Sequence, residues 1–198
     1  PSGARTRARI RATALSTTFS AAGAFLLRSD SLDAALLQPL EPGVYSAQVS
    51  GRTGTGIALA EVYDTAPGTG SRLVNLSARA TVGTGGGVLI AGFSISGNVS
   101  RRLLIRGIGP TLANFGVTGA LANPRLSLFR GASLLQENDD WGGTAALSNA
   151  FTSVAAFALP AASPDAVLVV TLAPGTYTAQ VSGVGDTTGI ALVEIYEL

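Results

Sequence analysis

Three features of the sequence predict an all-β protein, a β-sandwich of jelly-roll or immunoglobulin-like kind built from one and a half internal repeats. The first is a duplication: Thr13–Thr65 and the carboxyl-terminal stretch share 27 identities over 53 aligned positions. Phe19 matches Phe151, Phe25 matches Phe157, Tyr45 matches Tyr177 and Gln48 matches Gln180, each pair 132 residues apart. One extra residue near Thr188 moves the offset to 133, so that Gly56 meets Gly189 and Glu61 meets Glu194. Such self-similarity marks a repeated structural unit. The second feature is the spacing of short apolar segments between Gly- and Pro-containing turns, the pattern of packed antiparallel strands. The third is composition: 46% hydrophobic residues, only 13% charged residues and 25 glycines in 198, which suits strands and tight turns and not disorder.

The duplication is incomplete. About eighty residues before the second copy, from Pro67 to Gly143, have no counterpart before the first. This divides the chain into a basic arm (1–12), a half-repeat β unit (13–66) and a complete sandwich repeat (67–198).

In order, the arm reads Ala4–Ala12 (ARTRARIRA), with Arg5, Arg7, Arg9 and Arg11 alternating with Ala, Thr and Ile10. Period-two alternation predicts a strand with one face of small residues. Thr13–Phe25 and its partner Ala145–Phe157 carry apolar residues at helical spacing and predict short helices. The first copy then predicts strands over Ala34–Leu40, Gly43–Ser50 and Thr55–Tyr63, with turns at Pro42-Gly43 and Gly51–Gly54. Their equivalents are Ala166–Leu172, Thr176–Ser182 and Gly189–Tyr196. In the unduplicated insert, strands are expected over Arg72–Val82, Val88–Ser96 and Arg101–Ile108. A loop with one helical turn follows, and then a hairpin of Arg125–Phe129 with Ser133–Glu137.

The stretch Leu126–Gly143 (LSLFRGASLLQENDDWGG), followed by LAPGTYTAQVSG and TGIALVEIY, resembles repeat modules at the carboxyl end of large secreted bacterial proteins. More distantly it is similar to the pre-peptidase C-terminal type of β-sandwich. The likeness spans roughly residues 71–198 and half of it recurs in 13–65. Its motifs are strand and turn residues, so it implies a noncatalytic extracellular module.

Composition narrows the chemistry. The chain has no Cys, His, Lys or Met, and all thirteen basic residues are Arg. Disulfides and thiolate metal sites are impossible, and the usual general base is missing. With no His or Lys to activate a Ser or Thr, no enzymatic activity is expected. No apolar run reaches the roughly 18–20 residues of a membrane span. A start at Pro1 without Met reads as a processed, secreted product or a fragment. Net charge is +1, yet four Arg and no acid lie in residues 1–12, leaving nine Arg against twelve acids in the body.

Asn138, Asp139 and Asp140 set three oxygen donors on a Gly-flanked turn, which suits a hard cation such as Ca²⁺. The competing explanation is that Asn and Asp favour turns. No other cofactor is implied. Trp141 reads as a hydrophobic plug or as an exposed anchor for glycan. The Gly83–Gly87 run lacks the Lys-Ser/Thr of a phosphate loop and reads as a hairpin turn. Asn75-Leu76-Ser77 and Asn98-Val99-Ser100 match glycosylation sequons and carry little weight.

The arm has three readings: subunit pairing, an ordinary charged edge strand, and, ranked last, nucleic acid. Subunit pairing through Arg5, Arg7, Arg9, Ile10 and Arg11 ranks first, because the small opposite face fits a narrow groove. A half-repeat lacking its front strands exposes a sheet edge. If a neighbour's arm fills it, head-to-tail contacts generate a filament. The expectation is therefore a secreted structural protein polymerising with copies of itself. Its alternative is a monomeric adhesion module, glycan-binding or Ca²⁺-dependent.

Overall fold

The strand Arg101–Ile108 (β3) shows how the sequence sets the architecture, because its apolar residues do not alternate. Leu103 and Ile105 face one way while Leu104 and Ile108 face the other, and all four are buried. A strand of that composition must be covered on both faces. In the computed structural model, which describes residues 12–22, 24–28, 30–52, 54, 56–65 and 72–198, it is.

The chain divides into two compact units, Pro1–Leu73 and Val74–Leu198. The second is a β-sandwich. Its strands are β1 (Asn75–Val82), β2 (Leu89–Ile95), β3, β4 (Pro124–Arg130), β5 (Ser133–Asn138), β6 (Ala166–Leu172), β7 (Gly175–Gly183) and β8 (Gly189–Glu197). They form two four-stranded antiparallel sheets, ordered β1-β8-β3-β6 and β2-β7-β4-β5. Between the sheets lie Leu103 and Ile105 of β3, Leu126 and Leu128 of β4, Leu168 of β6, Tyr177 and Val181 of β7, and Val193 and Ile195 of β8. Alternate residues on each strand fill this layer, as the pleat requires. The sheets approach closely at Gly107, where a Cβ would stand 3.3 Å from Val181 Cγ2.

The outer face of the first sheet carries a second apolar layer of Leu104, Ile108, Val167 and Leu192. Trp141, Phe151 and Leu159 close over it. Phe151 belongs to α2 (Ala145–Ser153), whose first turn is capped by the Thr144 hydroxyl accepting the Leu147 N–H at 3.4 Å. The expected insert strands, the 125–137 hairpin and the three strands of the second copy all form, within a few residues of the expected ends. Gly85–Gly87 is a single 3₁₀ turn between β1 and β2.

The first unit differs. Helix α1 (Ala12–Ala22) forms at the place matching α2. Beyond it, the described residues of 24–65 form no strand, so the three strands expected there are not present. The pairing within the sandwich supplies the reason. β6 bonds only to β3, β7 only to β2 and β4, and β8 only to β1 and β3. The three strands of a copy never pair with one another, and all their partners come from residues 75–130, the part that is not duplicated. Without a partner, an extended backbone has no ladder in which to place its N–H and C=O groups. Leu36 is 71% exposed against 3% for Leu168, and Val49 is 63% exposed against 0% for Val181. Each such side chain left in water forgoes about 1.5–3 kcal/mol of burial. The arm, with Arg5, Arg7, Arg9, Ile10 and Arg11, lies outside the described residues. Among those described, no helix is long and apolar enough to cross a membrane.

Candidate functional site

Asn138 closes strand β5 and spends both ends of its amide inside the protein. Its Oδ1 accepts the Val167 N–H of β6 at 2.8 Å, and its Nδ2 donates to the Asp140 carbonyl at 2.8 Å. It thereby clamps the end of one sheet to the edge of the other. Asp139 and Asp140 are exposed. Among the described residues no group of three or more acidic side chains is gathered as a cation cage. Trp141, next along, is 4% exposed. Its indole N–H donates to the Pro160 carbonyl at 3.0 Å, and its ring lies 5.4 Å from that of Phe151. It is a plug under α2 and presents no stacking face to a sugar.

The functional-looking polar groups that sequence reasoning passed over lie beneath that plug. Arg106 projects from the outer face of β3, fully buried. It faces Glu194 in direct register on β8. Its Nε donates to Glu194 Oε2 at 2.9 Å, Nη2 donates to the same oxygen, and Nη1 donates to the Phe157 carbonyl at 2.6 Å. Phe157, Phe151 and Tyr196 surround the guanidinium, with ring centroids 4.3, 5.0 and 5.8 Å from Cζ. A buried cation with a carboxylate, a carbonyl and three ring faces is fully compensated. The signal was present: one Arg inside the apolar run LLIRGI, and one Glu inside ALVEIY that recurs as Glu61 in ALAEVY.

Tyr196 completes the group, donating its hydroxyl to Glu194 Oε1 at 2.8 Å. Burial, and then the neighbouring Glu194 charge, push its phenol up to about 12 from 10.0. The raised value fixes the sign of a pH effect. Below about pH 10 both folded and unfolded chains hold this proton, and between about 10 and 12 only the folded chain does, so stability falls as pH rises through that window. Relative to Tyr196→Phe, the native chain should lose roughly 1 kcal/mol over the window, discounted because the ring is partly exposed. Thermal melts of both proteins at pH 8, 10 and 11.5 check this. Parallel pH profiles would contradict it.

A second buried acid organises the carboxyl end of β3, just past Arg106. Asp165, just before β6, is 0% exposed. Its Oδ1 accepts the Gly109 N–H at 2.7 Å, and its Oδ2 accepts the hydroxyls of Thr111 and Ser163. Its carbonyl accepts the Trp141 N–H at 2.8 Å. Gly109 can take no side chain, since a Cβ would lie 2.2 Å from the Leu121 carbonyl oxygen. Both acids are thus consumed by structure. The recurrent tyrosines are also structural, Tyr177 donating to the Ala173 carbonyl at 2.8 Å. An open hollow on the loop after β3 is lined by Pro110, Ala113, Val117 and Ala120 and has no charged side chain in its wall.

No family model matches the chain, and no curated protein matches it. Among solved structures, the chain is similar to the pre-peptidase C-terminal domain of a collagenase from Bacillus anthracis. That match has 10% identity and a TM-score of 0.38, and covers 62% of this chain and 89% of that one. It is the domain type that the Leu126–Gly143 motif resembles.

Proposed function

We propose that the chain is a noncatalytic structural part of a larger secreted protein, and that its first copy is a joint to a neighbouring module. One observation carries the reading: the strands that the first copy duplicates pair, in the sandwich, only with segments that the first copy lacks. Unpaired strand segments with apolar side chains in water are sites of strand addition. The buried acids support a noncatalytic role, because Glu194 and Asp165 are each occupied by donors of the fold itself.

In its homopolymeric form, the neighbour is another copy of the chain and the arm is the donor strand. Arg5, Arg7, Arg9 and Arg11 then face the mildly acidic body of the next subunit, and the head-to-tail contact grows a filament. Deleting residues 1–12 tests this form. The expected result is loss of assembly in sedimentation and negative-stain microscopy, with an unchanged β-type circular dichroism spectrum. Assembly that persists without residues 1–12 removes the arm as donor. An intact protein that stays monomeric at high concentration rules out self-polymerisation.

A further inference from the structure

We infer that residues 12–65 form a receptor for a whole set of strands equivalent to β1–β4, supplied by a sister module, and that Glu61 is shaped to take an arginine of that set. The inference rests on the reading of the first copy as a joint, and it names what fills the joint.

The two copies share a set of local bonds that need no outside partner. The N–H of Ala24 donates to the Phe19 carbonyl at 2.9 Å, as that of Ala156 does to Phe151 at 2.9 Å. Tyr45 donates to the Glu41 carbonyl at 2.7 Å, matching Tyr177 and Ala173 at 2.8 Å. Ser31 donates to Asp33 as Ser163 does to Asp165. Tyr63 donates to Glu61 Oε1 at 3.1 Å, matching Tyr196 and Glu194. The first copy therefore holds the tyrosine-bearing carboxylate, and Phe19 and Phe25 are the counterparts of the rings around Arg106.

The partners missing from the two carboxylates come from β3 and the loop after it. In the sandwich Arg106 fills the Glu194 site, while the Gly109 N–H and Thr111 hydroxyl fill the Asp165 site. Among the described residues no arginine pairs with Glu61. Gly189 leaves no room for a Cβ, which would lie 2.7 Å from Leu121 Cα, yet its counterpart Gly56 has nothing within 4 Å. That glycine answers to a neighbour that a strand set with its following loop would bring. Charge, shape and register thus specify one occupant: an insert like residues 75–130, with an arginine in its third strand and an Arg-x-x-Gly-Pro-Thr run at that strand's end.

Counting ranks the occupants by how much of the receptor each one fills. Residues 12–198 hold one β1–β4 set and two copies that require one, so within these residues one copy has no set of its own. The arm, as a single strand, replaces at most one of the four. A sister module bearing its own strand set fills the receptor completely.

The test uses the chain's own insert as the probe. Residue 143 precedes 144, and residue 12 aligns with 144, so residues 67–143 can be fused directly ahead of residues 12–198 in register. Hydrogen exchange is read in 34–63, with 74–198 as the internal standard. In the unmodified chain, amides of 34–63 should exchange freely. In the fusion their protection should rise by at least about 100-fold and the protein should be monomeric. Glu61→Ala, or Arg106→Ala in the prefixed segment alone, should remove most of that gain and leave 74–198 protected. If 34–63 stays unprotected in the fusion, including a fusion whose prefix stays unfolded, the proposed occupant is wrong and the joint reading survives. If 34–63 is already protected in the unmodified chain, the joint reading itself fails. Protection that is indifferent to Glu61→Ala and to the prefixed Arg106→Ala overturns the assignment of the arginine.

Discussion

Arg106→Met should destabilise the sandwich by about 3–5 kcal/mol, the range for removing one partner from a buried ion pair, against a total stability of roughly 5–15 kcal/mol for a domain of this kind. Glu194 is 5% exposed and would keep only the Tyr196 hydroxyl, leaving its other oxygen facing aromatic rings. The Phe157 carbonyl would also lose its donor. Trp141 is the only Trp in the chain and sits in the same layer, so its fluorescence in a urea titration reports this event and ignores residues 12–65. Restoring apolar packing separates charge from shape. Arg106→Met combined with Glu194→Leu should recover most of the loss, because a well-packed apolar pair often equals a buried ion pair. A midpoint for Arg106→Met within error of the native protein would show that the pair contributes nothing.

The same residue explains where sequence reasoning succeeds and where it stops. Strands of the second copy are legible because alternation and turn residues are local properties: LSLFRGASLLQEN is a hairpin by its Arg130-Gly131 turn alone. The first copy carries the same pattern, from Pro42-Gly43 to TGIAL, and forms no strand among its described residues. A period of two states which face of a segment is apolar, and it is silent on what the backbone pairs with. For β6, β7 and β8 the partner is always from 75–130, a long-range fact that no local window contains. Arg106 was hidden for a related reason. One Arg in RRLLIRGI looks like its neighbours, half-buried Arg101 and exposed Arg102, until the second face of β3 is seen to be covered. Asn138 was visible as a turn residue, while its role as a clamp onto Val167 depended on two sheets meeting there.

Asp165→Ala should be nearly as damaging, at about 3 kcal/mol, by leaving two buried donors and one half-buried donor without their acceptor. The donors come from three places: the end of β3 at Gly109, the following 3₁₀ turn at Thr111, and Ser163 on the approach to β6. The backbone N–H of Gly109 is the costly one, since the peptide is held by the Leu121 contact and has no rotor with which to seek another acceptor. The two hydroxyls can turn elsewhere, which keeps the total below three full desolvation penalties. Asp165→Asn should fall between, at about 2 kcal/mol, because the carboxamide oxygen still accepts one bond and its NH₂ meets a donor. The hub predicts a particular failure of additivity. Thr111→Val and Ser163→Ala should each cost something in the native background and little or nothing once Asp165 is Ala, because the bond they would break is already gone. Urea midpoints read at Trp141, whose backbone N–H donates to the Asp165 carbonyl, measure all seven proteins, the native chain included, on one signal. Strictly additive losses across that set would mean that the three donors do not depend on this carboxylate, and that the end of β3 is held by packing alone.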